Sequence, residues 1–150
     1  MAAAFPPGFA PRPFAPADTE AVVALWRDCG LLRPWNDPHK DIARKLAVQP
    51  ELFLVVEDRG ADGRLAASAM AGYDGHRGSL YYLAVAPRCQ GQGLGRALVA
   101  HAEALLIERG CPKLNLMVRS SNLAVLEFYR RLGYAADEAV PLSRRLIPDL

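Results

Sequence analysis

The sequence contains little cysteine: Cys29, Cys89 and Cys111 are the three cysteines among 150 residues. No two of them form a C-x-x-C pair and the number is odd. The sequence therefore predicts neither a disulfide framework nor a zinc site, and no other metal site is expected. Three free thiols in a reducing compartment are the expected state.

Long apolar runs are missing as well. No stretch of about 18 or more apolar residues occurs, so no transmembrane helix is predicted. The N-terminus lacks the basic segment followed by an apolar segment that marks a secretory signal. We therefore expect no membrane partner and a cytoplasmic location.

An excess of charge of one sign is also absent. The net charge is +2, which is too small to indicate nucleic acid or an anionic membrane as the main partner. Hydrophobic residues make up 51% and charged residues 23%, a composition typical of a packed globular core. We expect residues 1–150 to form one domain. Nothing in the sequence decides between a monomer and a homodimer.

Apolar periodicity and turn residues predict the element order. The predicted elements are a loose proline-rich tail over 1–8, an edge strand over 9–14, helices over 18–28 and 38–47, strands over 52–58, 65–73 and 79–85, a helix over 95–109, a strand over 114–118, a helix over 122–132, and closing strands over 134–139 and 142–146. The strand over 79–85 is apolar throughout and is predicted to be central. Three hairpin-linked strands followed by β-α-β indicate an α/β chain with a mixed sheet.

A glycine-rich loop over residues 90–95 joins an apolar strand to a helix N-terminus. The first N–H groups of a helix have no partner inside the helix, and the helix dipole favours an anion there. Glycines at 91, 93 and 95 leave room for a diphosphate to approach the main chain. Arg96 adds a positive charge that is unfavourable for the dipole, so it either contacts phosphate or is a solvated charge.

Two common nucleotide-binding loops do not match these residues. A P-loop needs Gly-Lys-Ser/Thr, and here Gly95 is followed by Arg96. A G-x-G-x-x-G fingerprint that begins at Gly91 would end on Arg96, and one that begins at Gly93 would end on Leu98.

The loop instead resembles the Q/R-x-x-G-x-G/A cofactor motif of the GNAT superfamily of N-acetyltransferases. Its residues are Gln90, Gly91, Gln92, Gly93, Leu94 and Gly95. A second element of that family follows at the expected distance, with Asn122, then Phe128-Tyr129, then Leu132-Gly133-Tyr134. The resemblance covers roughly residues 12–146. The segments 31–38 and 72–78 further resemble its bacterial YpeA-type branch, from which no acceptor follows.

The resemblance implies a mostly antiparallel sheet, splayed at the cofactor site and flanked by helices on both faces. It implies acetyl-CoA as cofactor, with CoA as product, and transfer of the acetyl group to an amine. Main-chain N–H groups from Gly91 to Arg96 would hold the pyrophosphate. The main chain around Leu83, Ala84 and Val85 would pair with the acetyl-pantetheine arm, and Leu83 N–H would polarise the thioester carbonyl. Asn122 would bind the arm, and Tyr129 would protonate the leaving thiolate.

The role of Tyr129 also agrees with general chemistry. It follows Asn122 by seven residues, which places both on one face of a helix. A phenol with a pKa of about 10 is protonated at pH 7 and can donate to a thiolate. The alternatives are a core aromatic for Tyr129 and a helix N-cap for Asn122.

The general base is not identified by the sequence. Many family members carry a glutamate on the central strands, and residues 79–85 contain no carboxylate. A base matters most for a lysine-like amine, since at pH 7 only about one such amine in 2,500 is neutral. The candidates are Asp37, Glu57, Asp74 and His76, and the alternative is a water relay held by Tyr81 or Tyr82.

The loop between the first two helices is the candidate acceptor wall. It brings together Arg33, Trp35, Asn36 and Asp37. The alternative is that Trp35 anchors the loop in the core.

Three other functions stay open. An acyltransferase could use a longer acyl-CoA, and a non-catalytic acyl-CoA-binding or sensor domain could keep the same loop. A nucleic-acid or partner-binding module is disfavoured by the weak charge and the lack of a basic stripe.

Overall fold

The computed structural model describes residues 4–149. The main elements in this range are β1 Phe9–Pro13, α1 Thr19–Asp28, α2 Pro38–Ala47, β2 Phe53–Asp58, β3 Arg64–Tyr73, β4 Gly78–Val85, α3 Leu94–Glu108, β5 Leu114–Asn115 and α4 Leu123–Arg131. None of the helices in this part of the chain has the length and apolar character needed to cross a bilayer.

The strands form one mixed sheet in the order β1-β2-β3-β4-β5. The first four are antiparallel neighbours, and β5 runs parallel to β4. β4 and β5 pair only at Gly78↔Leu114 and Ser79↔Asn115, although β4 continues to Val85. The sheet therefore opens along the second half of β4, as the splayed sheet expected from the sequence requires.

Helices cover both faces of the sheet. On one face, Gly78 of β4 lies against Leu106 of α3, since a Cβ added at this glycine would be 3.3 Å from it. On the other face, Gly72 of β3 lies against Lys45 of α2, whose Nζ would be 3.6 Å from an added Cβ. On the α1 face, the indole of Trp26 stacks on Tyr82 at 3.8 Å and on Phe53 at 6.2 Å. This fully buried indole joins α1 to β2 and β4, so it fixes the strand that carries the site.

Three predicted elements differ from the structure. β4 is the fourth of five strands and not the central one; its apolar sequence reflects helices on both faces. β5 has two residues where five were expected. No strand occurs over 134–149 in the described part of the chain, because Pro141 and Pro148 lack ladder donors and Asp137 is held by Lys113 at 2.7 Å.

The two chain ends also differ from simple tails. Residues 1–3 of the predicted loose tail lie outside the described residues, but the Phe5 ring lies 5.9 Å from His101 of α3. At the other end, Asp149 is buried and accepts from Arg44 at 2.6 Å. Its carbonyl accepts from Asp37 N–H at 2.9 Å, so the last described residue rests on α2.

Candidate active site

The loop before α3 exposes main-chain donors. Gly91 and Gly93 adopt φ of 81° and 83°, and a Cβ on either would meet nothing within 4 Å. The first hydrogen bond of α3 runs from Ala97 N–H to Gly93 C=O, so the N–H groups at 94–96 have no partner inside the helix. No acidic residue occupies this first turn and no side chain caps it. The loop therefore has the geometry and charge of an anion site.

Gly95 has a different role from the other two glycines. A Cβ added there would lie 3.2 Å from the Phe128 ring and 3.6 Å from Val85 Cγ2. Its small size is thus required for α4 to pack against the start of α3. This contact brings the end of β4, the loop and α4 to one place.

The polar side chains of the loop mostly bind the loop itself. Gln90 Nε2 donates to Val85 C=O at 3.0 Å, and Gln92 Nε2 donates to Cys89 C=O at 3.3 Å. Arg96 is exposed and forms no ion pair with any residue in the range 4–149. The two glutamines hold the loop in shape, and Arg96 is available to an anionic ligand.

The open edge of β4 presents alternate main-chain groups. Ala86 N–H donates to Ala66 C=O at 2.8 Å, so in this antiparallel ladder Ala84 also faces β3. Val85 faces the other way, where its carbonyl accepts from Gln90 and from the Cys29 thiol. By the same alternation Leu83 shares that side. Leu83 and Val85 therefore offer the free edge, and the main chain of Ala84 belongs to the sheet.

A β-bulge reorients β4 immediately before this edge. Tyr82 and Leu83 together oppose Ala69, and Tyr82 has φ of 53°. The buried Ser68 hydroxyl donates to Tyr82 C=O at 3.0 Å and accepts from Trp26 Nε1 at 3.0 Å. This chain of two hydrogen bonds holds the bulge.

Ser68→Ala is expected to destabilise the fold by about 2–4 kcal/mol, because it leaves the Trp26 N–H and the Tyr82 carbonyl buried without partners. Urea unfolding followed by tryptophan fluorescence measures the change. The exposed Ser120→Ala serves as control and should stay within about 0.5 kcal/mol. A loss no larger than that of the control would show that the two hydrogen bonds do not hold the bulge.

The bulge also places both tyrosines of β4 on the α2 face. Tyr82 OH donates to Asp41 Oδ2 at 2.6 Å and accepts from Asn36 Nδ2 at 3.1 Å, while Tyr81 is half exposed on the same cavity as Asp41. Burial, followed by the bond to Asp41, raises the pKa of Tyr82 well above its usual value. Sequence reasoning missed Asp41, because an acid in the first turn of a helix is fully explained by the helix dipole.

The four residues of the candidate acceptor wall differ in their contacts, and one of them reaches β4. Arg33 closes its own turn by donating to Gly30 C=O at 2.7 Å, and Asp37 caps α2 by accepting from His39 N–H at 2.9 Å. Trp35 is 51% exposed and so does not anchor the loop in the core. Asn36 reaches Tyr82 and Asp41, and it is the member of the wall that contacts β4.

The remaining base candidates have structural contacts. Glu57 pairs with Arg12 across the β1–β2 ladder. Asp74 accepts the N–H groups of His76 and Arg77, each at 2.8 Å, and these bonds lower its pKa. His76 is exposed in the same turn. These contacts favour structural roles for Glu57 and Asp74.

Tyr129 lies in the core with a hydroxyl that no group in residues 4–149 binds. Its side chain is 7% exposed, and its ring meets Phe128 and Tyr134 edge to face at 5.0 and 5.5 Å. No fully buried polar atom lacks a partner in this part of the chain, so the hydroxyl reaches solvent. Burial raises the pKa of Tyr129 to about 12.

Asn122 has the N-cap role that the sequence left open. Its side chain accepts from Val125 N–H at 3.3 Å at the start of α4. Its amide N–H₂ group is left for a ligand, because the cap uses the oxygen alone.

Comparison with known families gives a match over most of the chain. Residues 19–134 match the family described as Acetyltransferase (GNAT) family. An acetyltransferase of Yersinia enterocolitica is 53% identical over 138 residues, which cover 92% of this chain and 96% of that protein. An acetyltransferase of Pectobacterium atrosepticum is 51% identical over 138 residues and covers the same shares.

Solved structures agree in fold. The ribosomal-protein-S18-alanine N-acetyltransferase of Escherichia coli superposes with a TM-score of 0.69 at 30% identity, covering 83% of this chain and 76% of that one. Naa20 of Chaetomium thermophilum, solved with a bisubstrate analogue, has a TM-score of 0.66 at 24% identity and covers 84% and 70%. At that lower identity the likeness concerns the fold alone.

Proposed function

Because the chain belongs to the acetyltransferase (GNAT) family, we propose that it transfers an acetyl group from acetyl-CoA directly to a primary amine of a small molecule or a protein. The observation that carries the proposal is the contact of Gly95 with both Phe128 and Val85. That contact gathers an anion-binding loop, an open strand edge and α4, the helix that carries the unpaired phenol of Tyr129, at one end of the sheet.

Three parts of the main chain fit the cofactor. Open space in front of Gly91 and Gly93 and the free N–H groups at 94–96 suit a diphosphate, and Arg96 adds a positive charge. The free edge at Leu83 and Val85 suits an extended amide chain, which adds to β4 as a further strand. Gln90 and the Cys29 thiol both donate to the Val85 carbonyl, and one of these two bonds would be given up to an amide of the arm, since a carbonyl oxygen has two acceptor sites.

Acetyl-CoA, when bound, supplies an acetyl group activated as a thioester. Leu83 N–H would donate to the thioester carbonyl and stabilise the negative charge that develops there as the amine attacks. The Tyr129 hydroxyl would give its proton to the departing sulfur. Its raised pKa of about 12 keeps the phenol protonated at pH 7.

Proton acceptance from the amine is assigned to Asp41. Its carboxylate lies on the cavity of the α2 face and bonds Tyr82 beside the β4 bulge, which neither Glu57 nor His76 does. Asp74 shares the cavity, but it lies in the β3–β4 turn and bonds no residue of the bulge, whereas Asp41, which also accepts from Asn36 and Arg44, reaches Tyr82. Loss of water lowers the pKa of an ammonium that binds there, and the Asp41 carboxylate would accept the proton as the amine attacks.

A thermal-shift titration with acetyl-CoA, free CoA, ATP and NAD tests the cofactor. Stabilisation by the CoA species alone is expected, reaching about 2.7 kcal/mol at a concentration of 100 Kd. No shift at millimolar acetyl-CoA would contradict the proposal. Turnover with a panel of amines then separates an enzyme from a non-catalytic sensor, and competition by bulkier acyl-CoAs tests a longer acyl group.

A further inference from the structure

A cavity of about 780 Å³ lies on the α2 face, between α2, the adjoining ends of β3 and β4, β5 and the C-terminal segment. Six charged side chains line it: Asp41, Arg44, Lys45, Asp74, Arg77 and Asp137. At one end it reaches Asp41 and Tyr81, next to the β4 bulge. A molecule in this cavity would therefore approach the reactive edge of β4 from the side opposite α3.

Most of these charges are neutralised or bonded within the protein. Arg44 pairs with Asp149 at 2.6 Å and Asp137 pairs with Lys113 at 2.7 Å. Arg77 donates to the His76 carbonyl at 2.9 Å. Asp41 accepts from Arg44 at 3.3 Å besides Asn36 and Tyr82, and the contacts of Asp74 are given above. Only one charged group that lines the cavity is left without such a partner in residues 4–149.

That group is Lys45, a residue that is only 9% exposed. No hydrogen bond or ion pair in this part of the chain involves its ammonium, which lies against Gly72 on the floor of the cavity. No fully buried nitrogen lacks a partner, so the ammonium opens into the cavity. Burial lowers the pKa of Lys45, and the one counteracting charge is Glu51, which pairs with Arg109 at 3.5 Å.

We infer that Lys45 binds a carboxylate of the acceptor, so that the acceptor is a small amino acid with its amine at Asp41 and its carboxylate at Lys45. This inference rests on the proposed function. Asp41 and Lys45 are four residues apart on α2, which places them on one face with about 6 Å between their Cβ atoms. The pair thus presents opposite charges on one face of α2, and both residues line the same cavity.

The energetics favour a charged acceptor over a neutral one. A partly buried ammonium without a counterion carries a desolvation cost, and a ligand that lacks an anion would bury it further. A carboxylate instead accepts from the ammonium and stabilises its charged form. The cavity therefore selects for a carboxylate and against the corresponding amide.

Acetyl transfer to matched acceptors tests the inference. The probes are glycine, β-alanine and γ-aminobutyrate, each beside its amide, with CoA release followed by a thiol reagent. In Lys45→Met, kcat/KM for the preferred amino acid should fall about 10- to 100-fold, mainly through KM, whereas the value for its amide should change less than about threefold. Lys45→Arg should retain part of the preference. Lys40→Met removes an exposed charge of the same helix outside the cavity and should change neither.

A binding measurement keeps the test independent of turnover. N-acetyl-β-alanine and its amide are titrated into the ¹⁵N-labelled protein and followed by amide shifts around α2. Saturable binding of the acid that is weakened at least tenfold by Lys45→Met supports the inference; equal binding of acid and amide, or binding of neither, overturns it. Acetyl-CoA titrated into the same sample reports the proposed function separately, so failure of the cofactor and failure of the carboxylate site are distinguished.

Discussion

Tyr129→Phe is expected to lower kcat by about 10- to 1,000-fold and to leave the affinity for acetyl-CoA nearly unchanged. The phenol is the one hydroxyl on α4, next in sequence to the Phe128 that packs on Gly95, and its O–H has no hydrogen-bond partner in the described chain. Removal of its O–H deletes the proton donor while the ring still packs on Phe128 and Tyr134. Steady-state kinetics with saturating acetyl-CoA measures the effect.

Tyr134→Phe is the matched control. Its hydroxyl donates to Glu103 at 2.6 Å, so the change removes a structural hydrogen bond and should lower stability while kcat stays within about threefold. If Tyr129→Phe were as active as Tyr134→Phe, Tyr129 would be a core aromatic and the proton would come from elsewhere.

The pH dependence of Tyr129 follows from its pKa. The value is raised from 10.0 to about 12, and burial is the cause. A group with a raised pKa in the folded state contributes stability that is fully present below about pH 10 and is lost as the pH rises through about 12. The Tyr129 phenol therefore loses its proton, and its role as the acid, only at this high pH. A decline of kcat near pH 8 would have to come from a different group.

The sequence predicted the parts of the fold that depend on local patterns. Apolar periodicity located α2 to the residue and β2 to β4 within one residue at each end, and the loop before α3 was evident from its glycines. The C-terminal strands were wrong, since Leu142 and Leu146 have strand-like composition but remain largely exposed. Whether an apolar segment finds a sheet edge depends on tertiary packing, and prolines at 141 and 148 weaken such pairing.

The candidate site was predictable only where main-chain geometry determines it. The bulge at Tyr82 depends on Ser68 and Trp26, which are 14 and 56 residues away in sequence, and no local pattern marks it. The same holds for Asp41, which meets Tyr82 across 41 residues. Both contacts are long-range, and the amphipathic pattern of α2 explains Asp41 equally well as a surface charge.

The three loop glycines look equivalent in sequence, but the structure separates them. Position 95 requires a residue without a side chain because Phe128 lies against it, whereas Gly91 and Gly93 combine a positive φ with open space. A side chain at Gly93 would therefore carry two costs: backbone strain in the free protein and obstruction of the space in front of the N–H groups. A test of the anion site has to distinguish these two costs.

Gly93→Val is expected to raise the Kd for acetyl-CoA by about tenfold or more and to lower stability by about 1–2 kcal/mol. The stability loss follows from φ of 83°, which a β-branched residue rarely adopts. The affinity loss follows because the side chain would occupy the approach of the diphosphate and cost at least one charge-assisted hydrogen bond. Isothermal titration with acetyl-CoA, beside urea unfolding, measures both effects.

Gly110→Val is the matched control, because Gly110 has φ of 82° and open space but lies beyond the other end of α3. It should lose a similar amount of stability and bind acetyl-CoA as tightly as the wild-type protein. A ratio of Kd values near one between the two folded variants would mean that Gly93 serves only the turn into α3. A Kd raised tenfold in Gly93→Val alone would instead locate the diphosphate at the N-terminus of α3, since the two variants share the strain and differ only in what the new side chain faces.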